Sequence, residues 1–305
     1  MTRKCFFVQP ASLADEQVTL SREVSRQLQS VLRMGPGDSI ELRDGAGGGW
    51  LAEIGGSEKG GFTVRLVRPL DLSGTEPAIE LTLGIALSRS EKMDLVVRQA
   101  TELGVSRIVA FRAKRSQYGL SGRQAEARVE RWVKIAREAL CQCGRSKIPE
   151  VALLSGTAEF LISTLDGPAD DSAIGVPPAV GGPDTRYPGA KRKSQSRRGE
   201  SAPTKDESGG LLKLFAWEEE LEQTLISLKH SFPECGKIIA VIGPEGGWDA
   251  TEADGFIASG FHPVRLGPRV LRLETAAAVL TSAIQLLWGD FGAAEKGRAD
   301  QHEVQ

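Results

Sequence analysis

The run Lys237-Ile238-Ile239-Ala240-Val241-Ile242 constrains this chain most. It has no polar alternation, so a strand built from it must be covered on both faces, which is the condition of a buried parallel strand. A second run, 79–87, has the same character. Between and after these two, strand-like and helix-like stretches alternate. Helices are expected from 91 to 103, 124–143, 158–165, 218–230 and 251–259, with a closing one from about 274. Strands are expected at 105–111, 151–154, 211–216 and 264–266. Such alternation predicts an α/β fold, a mostly parallel sheet with helices on both sides.

The first 74 residues read differently. Short strand-like segments at 6–8, 39–42 and 62–67 surround one amphipathic helix, 23–34, stopped by Gly35-Pro36-Gly37-Asp38. Gly45-Ala46-Gly47-Gly48-Gly49 lies where a hairpin turn belongs. A small β-barrel of residues 1–74 followed by an α/β domain of residues 75–292 is therefore expected. Residues 166–210 interrupt the second domain with eight glycines, six prolines and no apolar period, the composition of a disordered insertion. Residues 293–305 are expected to be a flexible tail.

The four cysteines and three histidines show no ligand spacing, so no metal is expected. Reduced thiols fit a cytoplasmic protein. No signal peptide and no membrane-spanning segment are expected from the apolar runs. The net charge of −2 hides an uneven distribution. Residues 107–147 hold eleven Lys or Arg against three Glu. With Val129, Val133, Ala136, Leu140 and Cys143 as the buried stripe, the basic side chains would form an exposed face suited to a polyanion. A solvated surface is the bland alternative.

Gly243-Pro244-Glu245-Gly246-Gly247 begins where the strand Lys237–Ile242 ends, and ligands of open α/β sheets lie at such carboxyl ends. The spacing matches neither the dinucleotide nor the P-loop fingerprint. By itself it is equally a strand–helix turn. Leu266-Gly267-Pro268-Arg269-Val270-Leu271-Arg272-Leu273-Glu274-Thr275-Ala276 adds an apolar pair between two arginines and a Glu at a helix start. That Glu would favour the helix dipole; the apolar slot with main-chain polar groups would suit a flat, polar-edged ring.

With these two motifs, the chain resembles the RsmE-type 16S ribosomal RNA uridine-N3 methyltransferases of the SPOUT superfamily. Phe6-Phe7-Val8, Val31-Leu32-Arg33-Met34, Glu91-Lys92, Gln99-Ala100-Thr101-Glu102-Leu103-Gly104, Arg115-Ser116, Arg131-Trp132 and Gln142-Cys143-Gly144-Arg145 carry the rest of the likeness. It departs at Leu273, Cys141, Cys143 and the insertion. The resemblance implies a PUA-like barrel, a trefoil-knotted parallel sheet, a homodimer, and S-adenosylmethionine as cofactor. It implies cofactor contacts at Gly243, Pro244, Glu245, Gly246, Gly247, Leu266, Gly267, Val270, Leu271, Thr275 and Ala276.

The implied reaction methylates N3 of a uridine in 16S ribosomal RNA of the small subunit. The base must be unpaired or flipped to expose N3. Loss of the N3 proton leaves charge on the carbonyl oxygens, so Arg272 and Arg115 are expected to stabilise it and Glu274 to take the proton. Lys92, Gln99, Glu102, Arg145 and Arg33 are expected at the RNA. Alternatives are another knotted methyltransferase, acting on a ribose 2′-hydroxyl or another base, and a non-catalytic RNA-binding assembly protein. The uncharged last helix would need cover on several sides, as a subunit interface supplies.

Overall fold

A computed structural model describes residues 4–9, 17–58, 61–120, 122–164 and 210–292. The expected insertion, apart from Gly210, and the tail 293–305 lie outside the described residues. The first sheet has five strands in the order β1-β3-β4-β5-β2: β1 Cys5–Phe7, β2 Gln17–Thr19, β3 Ser39–Arg43, β4 Gly49–Glu58 and β5 Gly61–Pro69. β1 pairs with β3 in parallel and the other pairs are antiparallel. Its core joins Phe6, Val18, Ile40, Leu42, Ile54 and Val64 to Leu28 of the helical segment. That segment is not one regular helix. α1 (Arg22–Arg26), capped by Ser21, is followed by a wider π-helical turn over Gln27–Val31.

The second sheet is wholly parallel, with order β11-β9-β10-β6-β7-β8. Its strands are β6 Glu80–Ala86, β7 Arg107–Phe111, β8 Glu150–Leu154, β9 Leu211–Ala216, β10 Lys237–Ile242 and β11 His262–Val264. Helices α2 (Ser90–Glu102), α3 (Arg123–Cys143), α4 (Thr157–Ser163), α5 (Leu225–Ser231), α6 (Ala250–Ala258) and α7 (Leu273–Leu287) connect them. The two-residue period of a strand sends neighbouring side chains to opposite faces. Thus Ile238, Ala240 and Ile242 join a cluster with residues of α2, α3, α5 and α7, while Ile239 and Val241 meet Phe160 of α4 and Phe256 of α6. Each large side chain so buried stabilises the fold by about 1.5–3 kcal/mol. This two-sided burial is why β10 tolerates no polar alternation.

Three expected elements differ. The helix expected over 218–230 begins only at Leu225. Glu220 turns back to accept the amides of Glu222 and Gln223 at 2.8 and 2.9 Å, and Thr224 then caps α5. β11 lies earlier than 264–266, leaving Arg265 and Leu266 in a loop. The buried stripe of α3 keeps the expected Ala136 and Leu140 and adds Trp132, Ile135 and Ala139; Val129 packs against the core partly buried, Val133 is half-buried, and Cys143 is exposed.

The hairpin of β3 and β4 seats its tip on the second sheet's domain. Gly47 donates to the Ser146 carbonyl at 3.1 Å, Ile148 donates to the Gly45 carbonyl at 2.9 Å, and Arg137 lies 4.5 Å over the Phe7 ring. The four cysteines are free thiols. No helix among the described residues is long and apolar enough to cross a membrane, and no group of three or more His, Cys, Asp or Glu there could hold a metal ion.

Candidate active site

Because every strand of the second sheet points the same way, the loops after β6, β7, β9, β10 and β11 gather at one edge, where ligands of such sheets bind. β6 leads into Ser88, and Ser88 Oγ bonds Glu245 Oε1 of the β10 loop at 3.1 Å. Lys92, in the first turn of α2, pairs with the same Glu245 oxygen and lies 3.6 Å from Glu274 Oε2 at the start of α7. One ammonium thus ties three elements together. The hydrogen bond from Lys92 holds the Glu245 carboxyl below the usual range, against the opposing effect of burial and with help from Ser88. In turn Glu245, more than Glu274, pushes Lys92 upward. That same Oε2 of Glu274 is buried and has no partner at hydrogen-bond distance, only the longer ion pair with Lys92.

The glycines of the β10 loop are needed for a reason the sequence reading did not contain. A Cβ on Gly243 would sit 2.8 Å from the buried Trp248 ring, whose Nε1 donates to the Ala216 carbonyl at the end of β9. Gly247 has φ +70°, and a Cβ there would meet Glu218 Oε1 at 2.2 Å. These residues let protein side chains, rather than only a ligand, approach the backbone. On the outer side Arg115 crosses the loop, its Nη1 donating to the Gly246 carbonyl at 3.3 Å.

The β11 loop supplies the other wall. Leu266 packs against the core and Gly267 turns at φ +125°. Leu271 is half-buried and Val270 is 88% exposed. The amides of Leu266, Val270 and Leu271 have no protein acceptor among the described residues. Apolar side chains beside unspent main-chain donors suit a flat, polar-edged ring such as adenine. Arg272 is the exposed residue preceding α7 and makes no side-chain cap hydrogen bond. Thr275 and Ala276 follow in the first turn of α7, exposed and half-buried respectively.

The structure therefore brings together Lys92, Arg115, Glu245 and Glu274, but not all the expected RNA contacts. Arg145 is a correction: its side chain is 6% exposed, and its guanidinium bonds Glu76 through Nε and Nη2 and the carbonyls of Thr101 and Val105 through Nη1. Glu102 ends α2, ten residues and about 15 Å of helix from Lys92. Gln99 faces α7 in a gap shared with Ala277, Ala278 and Thr281, its Oε1 buried and unpaired. Arg33 lies in the first domain, exposed and in the left-handed region at φ 55°.

The expected basic face is also smaller than its charge. Besides Arg145, Lys114 pairs with Asp249, Arg131 with Asp94, Lys134 with Glu23 and Arg107 with Glu150. All of these neutralising acids come from outside the 107–147 window, so counting within it could not find them. Glu218, Ser88, Arg89 and Tyr118 were missed at this edge. The signal was available: Ser88, Arg89 and Glu218 closely follow strands, as the expected site loops do.

An RNA methyltransferase domain model matches residues 75–172 and 201–285, the span of the parallel sheet and its loops. The chain belongs to the RNA methyltransferase domain family. A model of the RNA methyltransferase PUA domain matches residues 22–67, so the first sheet is PUA-like. Among relatives of this family, the ribosomal RNA small subunit methyltransferase E of Synechocystis sp. is 28% identical over 92% of this chain and 76% of its own length. That of Bacillus subtilis is 25% identical over 89% of this chain and 92% of its own. A crystal structure of the Neisseria gonorrhoeae protein of that name, bound to S-adenosyl methionine, superposes with TM-score 0.71 and 26% identity. It covers 95% of this chain and 100% of that one.

Proposed function

We infer that this chain is an S-adenosylmethionine-dependent methyltransferase acting on N3 of a uridine in 16S ribosomal RNA of the small subunit. The convergence of the β10 and β11 loops on the Lys92–Glu245–Glu274 cluster carries the reading. The names of its relatives supply the substrate, and the resemblance supplies the uridine N3.

Gly243, Pro244, Glu245, Gly246, Gly247, Leu266, Gly267, Val270, Leu271, Thr275 and Ala276 would hold the cofactor. When bound, it supplies a methyl group on a sulfonium centre. The chain's own residues must position the uridine in line and handle one proton. Glu274 is the acceptor for the N3 proton, since it is a carboxylate at the site whose Oε2 has only the longer 3.6 Å ion pair with Lys92. Lys92 holds this carboxylate at the site. Arg115, lying over the β10 loop, and Arg272, exposed before α7, stabilise charge on the uracil oxygens. Arg33, exposed in the first sheet's domain, remains proposed as a more distant RNA contact.

Two copies are proposed to pair through α7. Its outer stripe leaves Val279 41% and Leu286 62% exposed. A cytoplasmic setting fits a ribosomal RNA substrate. A trefoil knot is proposed on the resemblance, and the strand order β11-β9-β10 agrees with a chain that returns across β9.

Nucleoside mass spectrometry of ribosomal RNA from a deletion strain tests the reaction. Loss of 3-methyluridine is expected. Its retention, or loss of a 2′-O-methyl mark instead, would overturn the assignment. Calorimetry with S-adenosylmethionine separates it from a non-catalytic RNA-binding protein, which would give no saturable heat.

A further inference from the structure

Beside the cluster stands a pair of side chains that the methyl-transfer reading does not use. Arg89 is the residue before α2, and Tyr118 lies in the loop between β7 and α3. Arg89 Nε bonds the Tyr118 hydroxyl, while its guanidinium carbon stays 5.6 Å from the ring centroid. The guanidinium therefore bonds the hydroxyl of a half-exposed ring and lies over one side of it. Tyr118 is the one tyrosine among the described residues.

The position of this ring is set by the site. Its anchor Arg89 adjoins Ser88, which bonds Glu245. Three residues before it, Arg115 crosses the Gly246 carbonyl. Arg112 of the same loop is exposed and has no ion-pair partner among the described residues. An accessible aromatic face, an anchoring guanidinium and nearby unneutralised cations are the elements by which proteins hold single-stranded nucleic acid. Stacking on the ring holds a base, and the cations hold its phosphates. A tyrosine serving only to pack would be buried in one of the three apolar clusters, and Tyr118 belongs to none of them.

Resting on the reading of the site as one for RNA methyl transfer, we propose that Tyr118, held by Arg89, is a stacking platform for an unpaired base of the RNA substrate, with Arg112 on an adjoining phosphate. The platform confers RNA affinity and takes no part in holding the cofactor.

The test uses the full chain with small ribosomal subunits from a strain lacking the gene. Tyr118→Ala should raise KM for the subunits about tenfold, the loss of one base–aromatic stack, with cofactor affinity by calorimetry and Tm unchanged. Tyr118→Phe should restore KM, because the ring rather than the hydroxyl carries the contact, and Tyr118→Leu should not. An unchanged KM in Tyr118→Ala, or rescue by Leu equal to that by Phe, overturns the proposal. A second arm measures binding of a fluorescent oligouridylate by anisotropy. If the wild-type protein binds cofactor yet methylates no subunit, the reaction assignment fails, and the anisotropy of wild type against Tyr118→Ala still decides the platform.

Discussion

Arg145→Ala separates a structural role from a substrate role. Arg145 was expected at the RNA, but it lies in the link from α3 to β8, paired with Glu76 at 2.6 Å and bonded to two carbonyls at 2.9 Å. Removing one partner of such a buried pair costs about 3–5 kcal/mol, because the other charge is left uncompensated. Glu76 keeps the amides of Ser146 and Lys147 and is 22% exposed, which points to the lower end, about 3 kcal/mol. For a domain of this size that corresponds to a fall in Tm of about 6–12 °C. Scanning calorimetry would measure it, and KM for small ribosomal subunits, measured well below the transition, should stay at the wild-type value. Arg145→Met with Glu76→Gln should recover part of the loss, since no buried charge is then unpaired. A wild-type Tm combined with a raised KM would refute the structural reading.

Acid should act through the same pair. Burial alone would raise the Glu76 carboxyl, but Arg145 and the two amides outweigh it and hold the group below its ordinary value. A depressed folded pKa contributes stability that is whole above the ordinary carboxylate pKa of about 4.3 and fades as pH falls through the folded value. Stability curves from pH 7 to 3 should therefore fall more steeply for wild type than for Arg145→Ala, and parallel curves would count against the assignment. Lys92→Ala should lower kcat with little change in Tm, because the two carboxylates lose their shared cation at a partly exposed site; normal turnover would remove Lys92 from the site. Gly247→Ala puts an alanine in the left-handed region at a cost of about 1–2 kcal/mol, so Tm by scanning calorimetry should fall by about 2–8 °C, and an unchanged Tm would count against this loop geometry. Leu286→Glu on the uncovered stripe of α7 should yield monomers by light scattering, and an unchanged mass would place any interface elsewhere.

The parallel sheet was legible because β6 and β10 are apolar on both faces, and only a sheet covered on two sides accommodates that. The β10 and β11 loops were legible because strand composition gives way to Gly-Pro turns at both ends. The shortened helix before α5 was not, since Glu220 folds onto its own backbone amides and competes locally with helix formation. The stripe of α3 was only partly legible: Ala136 and Leu140 were found, but Val and Trp are both apolar, and only the packed neighbour decides that Trp132 is covered more fully than Val133.

The sequence by itself determined where the buried parallel strands β6 and β10 lie, where the glycine loops stand and which family the chain resembles, because these follow from local periodicity and motif spacing. Only the tertiary structure decided which charged side chains remain available. Ion pairing depends on distances between residues far apart in the chain: Arg145 meets Glu76 and becomes part of the frame, whereas Lys92 meets Glu245 and Glu274 and becomes part of the site.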